Sequence, residues 1–250
     1  MQFWRMSLAS AATTRGSEKK TMKARIDAII QRNQAEYLEQ LTQQTDPLLR
    51  EMEEYGGEHG VPSADREVAL FCEITARAAN AKRCLEIGMA IGYTSLHLAR
   101  AVGEDGLVVT IDPSDEMIKA ADGYLTRAGL RKRVRIERGK ALDVIPLLKD
   151  NFDLIFIDAV KEEYSDYLRL SLPRLRNGGI VIVDNLLWGG QVAGEIRSPD
   201  QESSTNALRE FNKYFINHPK LRAVVLSVGD GLGYAVKIAA EGQHRGHGGE

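Results

Sequence analysis

The chain has 250 residues, 43% of them hydrophobic and 27% charged, with a formal net charge of -2 at pH 7. This is the make-up of a soluble globular protein long enough for one α/β core, and its charge balance argues against an obligate nucleic-acid binder, which carries a basic domain. No run of 18 apolar residues is available to span a membrane, and two cysteines, Cys72 and Cys84, are too few for a disulfide framework, so two buried thiols and a reducing cytoplasmic setting are expected.

Residues 1–22 are basic and poor in acids but lack the apolar stretch of a secretory signal, and they are expected to form a disordered leader. A single domain is expected over residues 23–239, with a helical part over 23–80 and a disordered, polar tail over 240–250. In the helical part Ile26, Ile30, Tyr37 and Leu41 recur at helical spacing, which predicts a helix over residues 24–41. Pro47 opens a second helix that the Gly56-Gly57 pair closes. A third is capped by Ser63, has Asp65 in its first turn, and lines up Val68, Phe71, Cys72, Thr75 and Ala79 on one face.

Short β-branched runs then alternate with amphipathic helices. Strands are predicted at residues 84–87, 107–111, 134–137, 152–157 and 180–183. Helices are predicted at 94–102, 114–128, 141–148 and 162–175, the second capped by Ser114 and stopped by Gly129, the last ended by Asn177-Gly178-Gly179. Strands separated by helices mean βαβ units and a parallel sheet. A helix over 205–215 follows. Strands at 222–227 and 234–238 are then joined through Val228, Gly229, Asp230 and Gly231 as an antiparallel hairpin that closes one edge. The fold class is α/β: a Rossmann-like, seven-stranded, mostly parallel sheet with helices on both faces and a C-terminal antiparallel hairpin.

Glu86, Gly88 and Gly92 stand where the first strand turns into a helix opened by Tyr93 and Thr94. Glycines there let backbone approach a ligand, and the helix start offers unpaired N–H groups to an anion. Asp112, 20 residues after Gly92, ends the second strand and is suited to accept from ribose hydroxyls. A pyrophosphate would be repelled by Glu86, whereas a sulfonium ligand with an amino group would not. The spacing E-x-G-x-x-x-G therefore points to S-adenosylmethionine (SAM) over a nicotinamide dinucleotide, whose fingerprint is G-x-G-x-x-G. A bare strand–helix turn would use the same glycines, and Asp112 could cap the next helix, although Ser114 is better placed for that.

Asp158 ends the fourth strand; Asp184 ends the fifth, with Asn185 beside it. Ligands of open α/β sheets bind outside the carboxyl ends of strands, and neighbouring carboxylates repel unless a cation or proton lies between them. Asp, Asp and Asn are hard oxygen donors that select magnesium, calcium or manganese. Taken singly, Asp158 could cap a helix and Asp184-Asn185 could start a turn. Lys161 opens a helix, where a cation is electrostatically disfavoured; it is either a solvated surface lysine or a base for a hydroxyl proton.

These residues resemble those of the cation-dependent class I O-methyltransferases of the caffeoyl-CoA and catechol type. The likeness runs from about residue 46 to residue 238. It is carried by Glu86 through Thr94, by Phe156, Asp158, Lys161 and Tyr164, by Val183, Asp184, Asn185, Leu187 and Trp188, and by Val228 to Gly231. The resemblance implies that Asp158, Asp184 and Asn185 hold a cation and that Lys161 is the catalytic base. It implies Glu86, Gly88 and Thr94 on the methionine part of SAM, Asp112 on its ribose, Ala141 near its adenine, and Val61, Ser63 and Asp158 close to the cofactor. Trp188, with Tyr164, would shape the acceptor pocket. A homodimer is the usual assembly. Plant members commonly read Asp-Ala-Asp-Lys where this chain has Asp158, Ala159, Val160 and Lys161, which removes a second acid beside the cofactor. The plant-type insertion at the acceptor mouth is short here, which favours a small free phenol over a CoA thioester.

The expected activity is divalent-cation-dependent transfer of the SAM methyl group to a hydroxyl of a small catechol-like or phenylpropanoid acceptor, with magnesium as the first choice of ion. The alternative is methylation of a hydroxylated tRNA base, for which Arg127, Arg131, Lys132, Arg133 and Arg135 offer a basic cluster. A non-catalytic scaffold on the same fold is a third reading.

Overall fold

The computed structural model describes residues 32–196 and 198–239. The expected leader and tail, and residues 24–31 of the first predicted helix, lie outside the described residues. Helices α1 (Arg32–Leu41), α2 (Pro47–His59) and α3 (Arg66–Ala78) precede the first strand. Strands β1 (Arg83–Ile87), β2 (Leu107–Asp112), β3 (Val134–Arg138), β4 (Phe152–Ile157) and β5 (Leu175–Val183) then alternate with α4 (Tyr93–Ala101), α5 (Asp115–Arg127), α6 (Ala141–Val144) and α7 (Tyr164–Ser171). Helix α8 (Glu202–Ile216) and the hairpin β6 (Leu221–Leu226) and β7 (Leu232–Lys237) close the chain. All seven strands form one sheet in the order β3-β2-β1-β4-β5-β7-β6; β1 to β5 run parallel, and β7 is antiparallel to both β5 and β6.

Side-chain alternation sorts the sheet into two cores. Cys84, Val108, Leu154, Phe156 and Ile182 pack with Val68 and Cys72 of α3, Leu96 of α4 and Leu125 of α5. Ile87, Val109, Ile155 and Val183 pack on the other side with Tyr164 and Leu168 of α7 and Leu208, Phe211 and Phe215 of α8. Both faces being covered, the parallel strands are apolar on both sides, and each Ile or Val so buried contributes about 1.5–3 kcal/mol. The two cysteines are buried and unbridged, as expected.

Several boundaries differ from the predicted ones. The Gly56-Gly57 pair does not stop α2. Gly56 is buried, its carbonyl accepts from the N–H groups of Gly60 and Val61, and the helix closes one turn later at left-handed Gly60. Asp65, not Ser63, stands at the cap position of α3, though without a side-chain bond to the helix, and Ser63 lines the cavity described below. Helix α7 ends at Ser171, with Pro173 in the tight turn 172–174, since proline cannot continue the backbone ladder. Asn177-Gly178-Gly179 is therefore not a helix stop but a bulge inside β5, between the pairs Phe152–Leu175 and Leu154–Ile180. Likewise Pro146 converts the second half of the predicted helix at 141–148 into a tight turn.

Candidate active site

The strand order reverses between β1 and β4, which opens a crevice above their carboxyl ends. Gly88 enters it at φ 94°, and a Cβ there would lie 2.0 Å from the carbonyl oxygen of Asp158. Only glycine lets the two strand tips pass so closely. The tips stay in step: Asp158 N–H donates to Ile87 O at 2.9 Å, and Asp184 N–H donates to Ile157 O at 3.0 Å. With Ile157 paired to Val183, Asp158 and Asp184 follow as neighbours on adjacent strands.

A cavity of about 320 Å³ lies over this crevice, lined by Gly88, Thr94, Asp112, Asp158 and Lys161 among others. Five of the eight predicted cofactor residues, Ser63, Gly88, Thr94, Asp112 and Asp158, thus share its wall. Val61, Glu86 and Ala141 do not. Val61 sits one residue before its rim, where Pro62, Ser63 and Ala64 line it. Ala141 is buried at the start of α6, two residues after Gly139, whose N–H donates to the carbonyl of Asp112. Met89, Ala90, Tyr93 and Pro113 also line the cavity and were not singled out by sequence reasoning, although Met89, Ala90 and Tyr93 lie within the glycine motif itself.

Asp112 is held open toward the cavity by its neighbours. Its Oδ2 accepts from Ala90 N–H at 2.9 Å and its Oδ1 from Ser114 N–H at 2.8 Å, while Ser114 itself caps α5. Oδ2 accepts from Met89 N–H as well, at 3.3 Å, so the lone pair left for a ligand is on Oδ1. Tyr93 Oη donates to Glu53 at 2.5 Å, and Glu53 pairs with Arg66, so α2, α3 and α4 are tied together beside the cavity.

Glu86 lies behind the wall with no exposed surface. Its Oε2 accepts from Ser95 Oγ and, at 2.6 Å, from Thr110 Oγ1, whereas Oε1 has no partner. Burial, reinforced by Asp158 and Asp112, pushes its carboxyl up to about 8 from 4.5. The folded form therefore holds a proton that the unfolded chain releases near 4.5. Stability without ligand falls as pH rises from about 4.5 through about 8, by up to about 1.4 kcal/mol per pH unit. Glu86→Gln is expected to lessen this slope, the part owed to the raised carboxyl of Asp184 remaining, which urea melts at pH 5, 6.5 and 8 will read.

Asp184 is 2% exposed. Burial, then the nearby Asp158 charge, pushes its carboxyl well up, against the pull of Asn185 N–H and Lys161. Asn185 N–H donates to Asp184 Oδ1 at 2.7 Å, and Asn185 adopts a left-handed φ of 64°, which asparagine tolerates. Lys161 Nζ pairs with Asp158 Oδ1 at 2.9 Å and lies 5.1 Å from the Tyr164 ring centre and 5.8 Å from that of Trp188. It is mostly buried, so the reading of a solvated surface lysine fails. Tyr164, expected in the acceptor pocket, has no exposed surface: it packs between α8 and the sheet, and its hydroxyl donates to the carbonyl of Asp184 at 3.2 Å. It supports the site from below instead of lining it.

The donor set at these tips is two carboxylates and one carboxamide. Among the described residues no group of three or more His, Cys, Asp or Glu side chains stands ready for a metal. The set still fits a hard divalent ion: burial and Asp158 push Asp184 toward its neutral form against the pull of Lys161, and a divalent ion between the two would let both carboxylates ionise. The basic cluster proposed for RNA is largely neutralised: Arg127 pairs with Glu51, Arg131 with Asp122, and Arg135 with Asp150 and Glu137.

Comparison with known proteins agrees with this fold. The O-methyltransferase family pattern matches residues 25–238. A catechol O-methyltransferase from Niastella koreensis is 31% identical over 177 residues, 68% of this chain and 79% of the relative. Caffeoyl-CoA O-methyltransferase 2 of Populus trichocarpa is 28% identical over 74% of this chain and 79% of its own length. The O-methyltransferase TomG of Streptomyces achromogenes, solved with SAM, superposes with a TM-score of 0.74 at 28% identity, covering 83% of this chain and 96% of that one. With a family match over most of its length and this fold, the chain belongs to the O-methyltransferase family, enzymes that take their methyl group from SAM.

Proposed function

We propose that this enzyme methylates one hydroxyl of a small vicinal-diol phenol, a catechol or phenylpropanoid acid, with the help of a divalent cation, magnesium first. What supports this is Asp158 in the wall of the cavity, with Asp184 at the tip of the next strand and Lys161 2.9 Å from Asp158. The catechol and caffeoyl-CoA substrates named for its relatives point the same way. Asp158 and Asp184 would hold the ion through carboxylate oxygens and Asn185 through its side-chain carbonyl. When bound, the ion withdraws electron density from the acceptor oxygens, and SAM supplies an already activated methyl group.

The residues of the chain then orient, exclude water and move one proton. Trp188 walls the acceptor. In its neutral form, the ion having taken over the charge of the two carboxylates, Lys161 Nζ takes the hydroxyl proton, leaving an oxygen that gains the methyl group as the carbon–sulfur bond breaks. Glu86, behind the glycine turn, serves the amino end of the methionine moiety, with Gly88, Thr94 and Asp112 along the cofactor and Val61 and Ala141 outside them. A cytoplasmic homodimer, without membrane or nucleic-acid partners, completes the proposal. The test is a panel of catechols, flavonoids and phenylpropanoid acids with SAM, each with magnesium and with excess chelator. Methylated diols are expected only with the ion; undiminished turnover in chelator would remove the cation from the mechanism.

A further inference from the structure

The segment after β5, residues 184–194, carries both Asn185 and Trp188. Its backbone is unusual: Asn185, Trp188, Gly189 and Gly190 all have left-handed φ, at 64°, 49°, 59° and 83°. For a bulky residue such as Trp188 this is an outlier that persists only when the surroundings over-determine it. The segment's own hydrogen bonds are short-range turns, such as Gly190 N–H to Leu187 O and Gln191 N–H to Trp188 O. They fold it locally but do not fix it to the body of the enzyme.

Tyr164 at Asp184 O and Gln201 at the Gln191 side chain hold it in part, and two elements far away in sequence add to this. From the turn before β7, Asp230 Oδ1 accepts from Gly189 N–H at 2.6 Å, and the carbonyls of Asp230 and Gly231 accept from Leu187 and Leu186. From α8, Arg209 Nη2 donates to the carbonyls of Gln191 at 3.0 Å and Gly194 at 2.7 Å, and its Nε donates to Val192 O at 3.2 Å. Asp230 is 5% exposed, and the turn that carries it is packed without slack: a Cβ on Gly231 would lie 2.4 Å from Leu187 Cγ.

We infer that Asp230 and Arg209 are positioning residues for acceptor recognition, which hold the Trp188 segment from opposite ends and so decide which hydroxyl of the acceptor meets the methyl group. The inference rests on the vicinal-diol reading given above. The Trp188 ring stands 5.8 Å from Lys161 Nζ. A shift of the segment therefore changes the gap between the wall and the proton acceptor. The glycine turn, Asp112 and Thr94, which flank the cofactor cavity, belong to β1, β2 and α4 and do not depend on it. Neither residue touches the reacting atoms, and a misplacement of about 1 Å can cost up to about a hundredfold. The effect should fall on acceptor handling and spare SAM.

The probe is 3,4-dihydroxybenzoate with SAM and magnesium, the readouts being the ratio of 3-O- to 4-O-methyl product, the acceptor KM and the SAM Kd by calorimetry. Asp230→Ala and Arg209→Ala should each raise the acceptor KM about tenfold or more and move the product ratio toward equality, with SAM affinity unchanged. Asp230→Asn keeps an oxygen for Gly189 N–H and should restore most of the wild-type ratio; Arg209→Lys, which cannot span three carbonyls, should not. Should Asp230→Ala fail to fold, Arg209→Ala and Asp230→Asn decide. An active wild type whose folded variants keep its ratio and KM overturns the inference alone, as does a parallel loss of SAM affinity, which would mean general damage. A wild type that methylates neither hydroxyl overturns the vicinal-diol reading and this inference with it.

Discussion

Asp184→Ala is expected to lower kcat/KM for a catechol by about a thousandfold, the scale on which loss of a preorganised electrostatic group acts. Asp184 is the more deeply buried of the two carboxylates, held by Asn185 N–H below its Oδ1 and by Tyr164 at its carbonyl. Water cannot easily replace it as a donor. The isosteric Asp184→Asn sharpens the test. It keeps an oxygen for Asn185 N–H but deletes the charge that burial and Asp158 oppose. The ligand-free protein should therefore become more stable at neutral pH while cation affinity and turnover collapse, a trade of activity against stability. Thermal melts with and without magnesium, alongside steady-state rates across a magnesium titration, measure both halves. A variant that is less stable without ligand yet fully active would contradict the role given to Asp184.

Lys161→Ala is expected to reduce kcat by about a hundredfold to ten-thousandfold, the usual range for a general base, with SAM binding retained. Because Lys161 also neutralises Asp158 at 2.9 Å, loss of charge and loss of the proton acceptor must be separated. Lys161→Arg does this: it keeps a cation beside Asp158 but cannot give up its proton. If the amine acts as the base, both variants stay slow and their rates climb with pH across the range where wild type is flat. If Lys161→Arg recovers the wild-type rate, the residue serves only as a counter-charge.

The sequence carried the fold because its period changes are sharp. The β-branched runs that became β1, β2, β3 and β4, and their separation by amphipathic helices, required a parallel sheet, and the glycine-rich link at residues 228–231 required the antiparallel edge. Local misreadings came where a long-range contact outranked a local signal. Gly56-Gly57 looked like a stop, but Gly56 is buried against the Val61 carbonyl, and Gly178-Gly179 looked like a helix stop but is a bulge set by pairing with β4. Asp158 and Asp184 were legible because strand ends are positions in a pattern. Glu86 was legible as an acid at the right place, but its retreat behind Ser95 and Thr110 was not, since spacing does not encode depth. Arg209 and Asn212 left no signal: they are ordinary polar residues on an amphipathic helix, and only the fold brings them under the segment after β5.

The placement of β7 between β5 and β6 has a bearing on how the enzyme matures at the ribosome. Domains form as the chain emerges from its N-terminal end. β1, β2 and β4 have emerged once residue 157 clears the exit tunnel, but α7 and α8, which cover one of their faces, have not. The bonds from Asp230 and Gly231 to the Trp188 segment must await the turn before β7, which begins 75 residues downstream at Leu232 (232 − 157 = 75). The contacts that fix the Trp188 segment are thus among the last a nascent chain can make.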